Sequence, residues 1–160
     1  AQRYAAGYAA TSFHWLSAAP ALAQVRRCLH GGGVWAMWWN IFGDPRQPDA
    51  WARASADLFA PLAGHPSRIG GLPHALDVPA RLAELRAAGF TNVQHHCLHW
   101  QLEQDTAAMV GLTATFSPVV CLPAPERQAL LQRMAQRAQQ HFGGRLQRHF
   151  LTPLYLATAP

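Results

Sequence analysis

Residues 34–41 (VWAMWWNI) are apolar almost throughout, over about the length of one strand. A run of that kind suits a strand covered on both faces, because neither face is left to water. Residues 4–11 are small and apolar, with tyrosines at Tyr4 and Tyr8, and read as another buried strand. Between the two runs, Ser17 can cap a helix and Pro20 suits its first turn, while Leu22, Val25 and Leu29 recur at helical spacing. His30 and the glycines Gly31, Gly32 and Gly33 then close that helix, since glycine takes the left-handed conformation at a helix end.

Gly43, Asp44 and Pro45 break the second run, and residues 48 to about 60 read as a helix presenting Trp51, Leu58 and Phe59. Pro61, Gly64 and Pro66 end it, and Gly70 and Gly71 keep the next stretch irregular. Asp77 opens a helix with Leu82, Leu85 and Ala88 inward and Gly89 as its stop. Residues 92–103 alternate: His95, Cys97, His99 and Gln101 point one way, and His96, Leu98, Trp100 and Leu102 the other, which makes a strand. A short helix over 105–112 follows. Pro123 and Pro125 precede a long helix to about residue 142, with Leu131, Met134 and Ala138 on one face and Gly143 and Gly144 as its stop. Residues 146–157 form a last strand. Helices alternating with strands define an α/β chain, and no repeat, linker or internal boundary interrupts it.

Of the 160 residues, half are apolar and 13% charged, enough for a core and too little charge for disorder. The net charge is +5, and all 13 basic residues are arginine. They are scattered from Arg3 to Arg148 with one adjacent pair, Arg26 and Arg27, so the basic stripe that nucleic acid needs is missing. No apolar run approaches a membrane span, so no membrane partner is expected. Three well-separated cysteines, Cys28, Cys97 and Cys121, suggest reduced thiols and a cytoplasmic setting.

The glycine triplet stands after a helix and before a strand, the reverse of the order in a dinucleotide-binding loop, and so reads as a turn. His95, Cys97 and His99 share a face and are competent metal ligands, yet nothing marks the further ligands a site needs. The polar face of an edge strand explains them as well, and no metal is expected. A G-x-S-x-G nucleophile elbow is absent. Thr11, Ser12, Phe13, His14 and Trp15 lie at the C-terminal end of the first strand, where open α/β sheets bind ligands, although a plain loop with a buried tryptophan would also fit.

Taken together, several segments resemble the C-terminal half of a class I S-adenosylmethionine-dependent methyltransferase of the methyltransferase type 11 group. Residues 4–15, ending in Phe13, His14 and Trp15, resemble the family's fourth strand with its F-H-W ending. Residues 27–33 (RCLHGGG) resemble its R-V-L-x-P-G-G turn, with Gly31 where the family has proline, and Trp39 and Asn40 its W-N. Residues 115–118 (TFSP), with Leu122, Pro123, Glu126 and Arg127, resemble its T-x-S…L-P-x-x-E-R stretch, and residues 151–155 (LTPLY) its final strand. The matches run through nearly the whole chain in the family's order.

The resemblance implies a partial Rossmann-like methyltransferase sheet: strands four to seven, the last antiparallel and paired with 92–103, with helices on both faces. Residues 1–160 would be the C-terminal part of one methyltransferase domain, with additions over the acceptor pocket at about 45–73 and 106–125. The family's glycine loop and ribose-binding acid are expected in an N-terminal half that these residues lack. The chain would then be a fragment, and its strand at 4–11 would stand as an unpaired edge, inviting self-association.

The implied function is methyl transfer from S-adenosylmethionine to a small-molecule acceptor, these residues forming the acceptor side. The alternative is a non-catalytic fragment or partner-dependent subunit that cannot hold cofactor alone. Thr11, Phe13 and Trp15 would then line the cofactor, and Asn40, Thr115 and Ser117 the acceptor. His14 would either take the acceptor's proton or serve to pack and orient.

Overall fold

The computed structural model describes residues 4–62 and 73–160. Its strands are β1 (Tyr4–Ala10), β2 (Leu29–Trp38), β3 (Thr91–Asp105) and β4 (Arg145–Thr158). The helices are α1 (Ala18–Cys28), α2 (Ala50–Ala54), α3 (Ala56–Phe59), α4 (Val78–Ala87), α5 (Thr106–Ala114), α6 (Ser117–Val120) and α7 (Ala124–Phe142). Single 3-10 turns cover Phe13–Trp15, Ala60–Leu62 and His74–Leu76. The four strands form one mixed sheet in the order β1-β2-β4-β3, with β1 parallel and β4 antiparallel to β2. The α/β reading therefore holds. The stop signals at Gly64, Pro66, Gly70 and Gly71 lie outside the described residues.

Three expectations are corrected. First, 4–11 is not a buried strand. β1 is the end strand of the sheet, and Tyr8 is 72% exposed because no described strand lies beyond it. Second, the glycine triplet does not end a helix. α1 stops at Cys28, Leu29 is already extended, and the glycines lie within β2. There the register jumps from Tyr4↔Leu29 to Ala6↔Val34, and Gly32 takes up the irregularity at φ +79°. Third, the apolar run is not covered on both faces. Trp35, Met37 and Trp39 are buried, whereas Val34 is 42% exposed and Ala36 and Trp38 are half-buried. Alternation had been hidden by apolar residues on both faces.

Smaller departures follow local chemistry. The helix expected over 48–60 breaks into α2 and α3, the Ser55 hydroxyl donating to the carbonyl of Trp51 at the break. Ser17 makes no side-chain cap, whereas Asp49, Asp77 and Asp105 each accept from the backbone N–H three residues on. Leu130 rather than Leu131 joins Met134 and Ala138 on the buried face of α7, and Gly143 closes that helix at φ +59°.

Two compact units emerge, one of Ala1–Ile41, Leu72–His99 and Leu151–Pro160, the other of Phe42–Gly71 and Trp100–Phe150. The first has a core of Phe13, Leu22, Trp35, Met37, Trp39, Leu85 and Tyr155 among others. The second is built on Trp51, Leu58, Met109, Val119, Met134 and Leu146. Cys28 is half-buried, and Cys97 and Cys121 are exposed. Among the described residues no helix is long and apolar enough to cross a membrane.

Candidate functional site

Just past β1, Thr11 stands at φ +50°, its N–H donating to the carbonyl of Trp38 at 2.8 Å. A β-branched residue is a conformational outlier there, so the chain leaves β1 under strain. The following 3-10 turn separates three neighbours. Phe13 points into the core, 1% exposed, with its ring edge-on to Trp35 at 6.0 Å. Trp15 faces outward, 70% exposed. His14 lies between them in sequence, its ring 4.7 Å from that of Trp15.

The end of β2 meets this turn. Trp39, buried just after the strand, donates its indole Nε1–H to His14 Nδ1 at 3.0 Å. Its ring also lies 5.6 Å from His74 and 6.1 Å, edge-on, from Tyr155. His14 and His74 are 6.4 Å apart. Tyr155 donates its hydroxyl to the carbonyl of Ala75 at 2.7 Å, and His95 packs on its ring at 4.8 Å. The first unit thus gathers three imidazoles, two indoles and a phenol about the ends of β1 and β2.

These groups are held neutral. Burial lowers the pKa of His14 and, helped by His96, that of His95. His74 is pushed down to about 4, first by burial and then by Arg81 and His14, with Asp77 opposing. Burial is also the main cause that raises Tyr155 to about 12.

The residues singled out in the sequence are placed as follows. Thr11, Phe13, His14 and Trp15 share the strained turn. Asn40 lies exposed beyond β2, its Oδ1 accepting from the Thr152 hydroxyl at 2.9 Å. Thr115 and Ser117 are exposed in the second unit, the Thr115 hydroxyl donating to the carbonyl of Leu112 at the end of α5. His95 is half-buried while Cys97 and His99 are exposed, and no group of three or more His, Cys, Asp or Glu suited to a metal occurs among the described residues. Sequence reasoning missed His74 and Tyr155. His74 sits in a Gly- and Pro-rich stretch without periodicity, and Tyr155 is one apolar position among many in β4.

The second unit carries a shallow cavity of about 670 Å³ lined by Gln47, Asp49, Trp51, Arg53, Phe142 and His149, among others. Asp49 is its buried anchor. It accepts from the N–H of Ala52 at 2.6 Å and of His149 at 3.0 Å, and from Arg148 Nε at 2.9 Å. Burial alone would raise this carboxyl, but those bonds outweigh it and hold its pKa below the ordinary value.

No protein-family model matches the chain. Three curated proteins, one from Mycobacterium bovis and two from strains of Mycobacterium tuberculosis, each named an uncharacterized methyltransferase, are 28% identical to it over 132 residues. That match covers 82% of the chain and 47% of each relative, so the chain spans about half the length of the curated relatives it matches. A candidate type II methyltransferase from Anaeromyxobacter dehalogenans superposes with a TM-score of 0.54 at 19% identity, over 96% of the chain and 63% of that structure. A candidate methyltransferase from Bacillus halodurans gives 0.51 at 16% identity, over 99% and 71%. The four-stranded mixed sheet with its helices is thus a fold shared with methyltransferase structures.

Proposed function

We propose that these 160 residues carry the acceptor side of an S-adenosylmethionine-dependent methyltransferase that acts on a small molecule. The observation that carries the reading is the strained turn at the end of β1. Thr11 is held at positive φ, and behind it stand a buried Phe13, a His14 tied to Trp39 just past the neighbouring strand, and an open Trp15. Strain of this kind costs about 1–3 kcal/mol and persists where the surroundings enforce it, characteristically at functional sites. The similarity to proteins named methyltransferases supports the same reading.

The residues of the turn fit the implied donor in part. Trp15 offers an open aromatic face of the kind that favours a cationic sulfur. Phe13 is buried and acts from within the core, fixing the turn. Bound S-adenosylmethionine supplies a methyl group already activated on a sulfonium. What is left to the protein is alignment of the nucleophile and exclusion of water.

In the family resembled, the grip on the cofactor comes largely from a glycine loop between strand and helix and from a ribose-binding acid. Neither motif occurs in these residues. Losing several such hydrogen bonds, each worth about 0.5–3 kcal/mol, weakens binding by orders of magnitude. Titration calorimetry tests this division. The 160 residues alone should show no measurable binding of S-adenosylmethionine, and binding with methyl transfer should return when an N-terminal cofactor-binding half is supplied. Micromolar binding by the 160 residues alone would overturn the division.

A further inference from the structure

The hydrogen bond between Trp39 and His14 has a direction that its chemistry fixes. An indole N–H donates and cannot accept. Nδ1 of His14 therefore turns its lone pair toward Trp39, and the proton of the neutral ring sits on Nε2. Adding a proton to Nδ1 would set two N–H groups against each other. Burial opposes charge on this ring, and the neighbouring imidazole of His74 stays neutral down to about pH 4. Among the described residues, none takes a hydrogen bond from His14 Nε2.

We infer that Trp39 is a positioning residue that fixes His14 as a hydrogen-bond donor, so that His14 orients a lone pair of the methyl acceptor and does not remove its proton. A general base needs a free lone pair, and the one this ring has is taken. The role toward an acceptor rests on the proposed function; the direction of the bond does not. It gives Trp39 a second task besides filling the core, one that phenylalanine cannot perform.

Two measurements on the isolated chain test the inference, without cofactor or acceptor. In the ¹⁵N-labelled chain, a scalar coupling should pass through the hydrogen bond between Trp39 Nε1 and His14 Nδ1, with Nδ1 resonating as a bare ring nitrogen and Nε2 as an N–H. His14 and His99 are both exposed, yet diethyl pyrocarbonate, which attacks the ring lone pair, should modify His14 several-fold more slowly, and Trp39→Phe should bring the two rates together. Should that variant fail to fold, the coupling and the two rates in the unsubstituted chain decide the matter. A missing coupling, an Nδ1 that resonates as an N–H, or a His14 as reactive as His99 would each overturn the inference. Any of those results would leave methyl transfer itself standing, whereas failure of the calorimetric test would leave the direction of the bond intact.

Discussion

In the second unit the buried carboxylate of Asp49 has three donors, two of them backbone N–H groups and the third Arg148, which also lies over the ring of Phe150. Around it the other ion pairs, Arg137 with Asp57 and Arg145 with Glu103, lie toward the surface. The first unit handles its polar groups differently. About β1 and β2 they are neutral rings set edge-on or tilted against one another, and the one ion pair among the described residues of that unit joins Arg81 to Glu84 within α4. Among the described residues, four buried polar atoms of that unit, Trp35 Nε1, Arg81 Nε, Glu84 Oε2 and His95 Nε2, have no partner, against Gln104 Oε1 in the second. Buried polar groups are ordinarily satisfied, and exceptions collect where a protein keeps chemistry available. One unit spends its polar groups on holding itself together, and the other leaves some of them unspent beside the candidate site.

The sharpest way to break this comparison is Asp49→Ala. It strands a buried guanidinium and uncaps α2, and the loss should be about 3–5 kcal/mol, read from urea denaturation. A loss under about 1 kcal/mol would show that Asp49 is no keystone of its unit.

Acidification should act next, and on the other unit. His74 has an ordinary pKa near 6.5 and a folded value of about 4, so the unfolded chain takes up a proton that the folded chain refuses. The stability contributed is whole above pH 6.5 and drains as the pH falls toward about 4. His14 and His95, also lowered, drain it in the same direction. The groups acting on His74 are Arg81 and His14, which favour its neutral form, and Asp77, which opposes them. Asp49 yields only below its ordinary carboxyl range. Hydrogen exchange at pH 6.5 and 4.5 should therefore show protection lost first in residues 4–41 and 73–99. Earlier loss in residues 100–150 would reverse the assignment.

The smallest effect should have the opposite sign. Thr11→Gly relieves a left-handed conformation that costs an ordinary residue about 1–2 kcal/mol, so it should stabilise the fold by a net ~1 kcal/mol or less, seen as a small rise in the midpoint of thermal unfolding. A stabilised variant fits a residue kept for the site rather than for the fold. A destabilised one would make Thr11 a structural residue after all.

Strand and helix order was legible because punctuation is local. Asp77 and Gly89 bracket α4, Gly143 ends α7, and strict alternation marks β3. What stayed illegible was decided by neighbours. Whether 34–41 is covered on one face or two depends on what packs there, and apolar side chains on both faces erase the signal. The fate of the glycines depends on β1 alongside them. At the site, Phe13, His14 and Trp15 stood out as a group in the sequence. Their partners Trp39 and His74, and Tyr155 on the far side of Trp39, come from three other segments, and no local pattern announces a contact 25 residues away in the chain.

The three adjacent glycines of β2 look interchangeable and are not. A methyl group on Gly31 would meet the backbone oxygen of Pro160 at 3.5 Å, an ordinary contact. On Gly32 it would meet nothing, and the objection there is the left-handed backbone. On Gly33 it would fall 2.9 Å from the carbonyl oxygen of His30 and 3.2 Å from that of Tyr4, main chain that cannot step aside. The first letter of the triplet is open to drift. The second is open to residues such as asparagine that tolerate its conformation. The third is closed, and where it changed, the start of β1 would have to pull away from its neighbour.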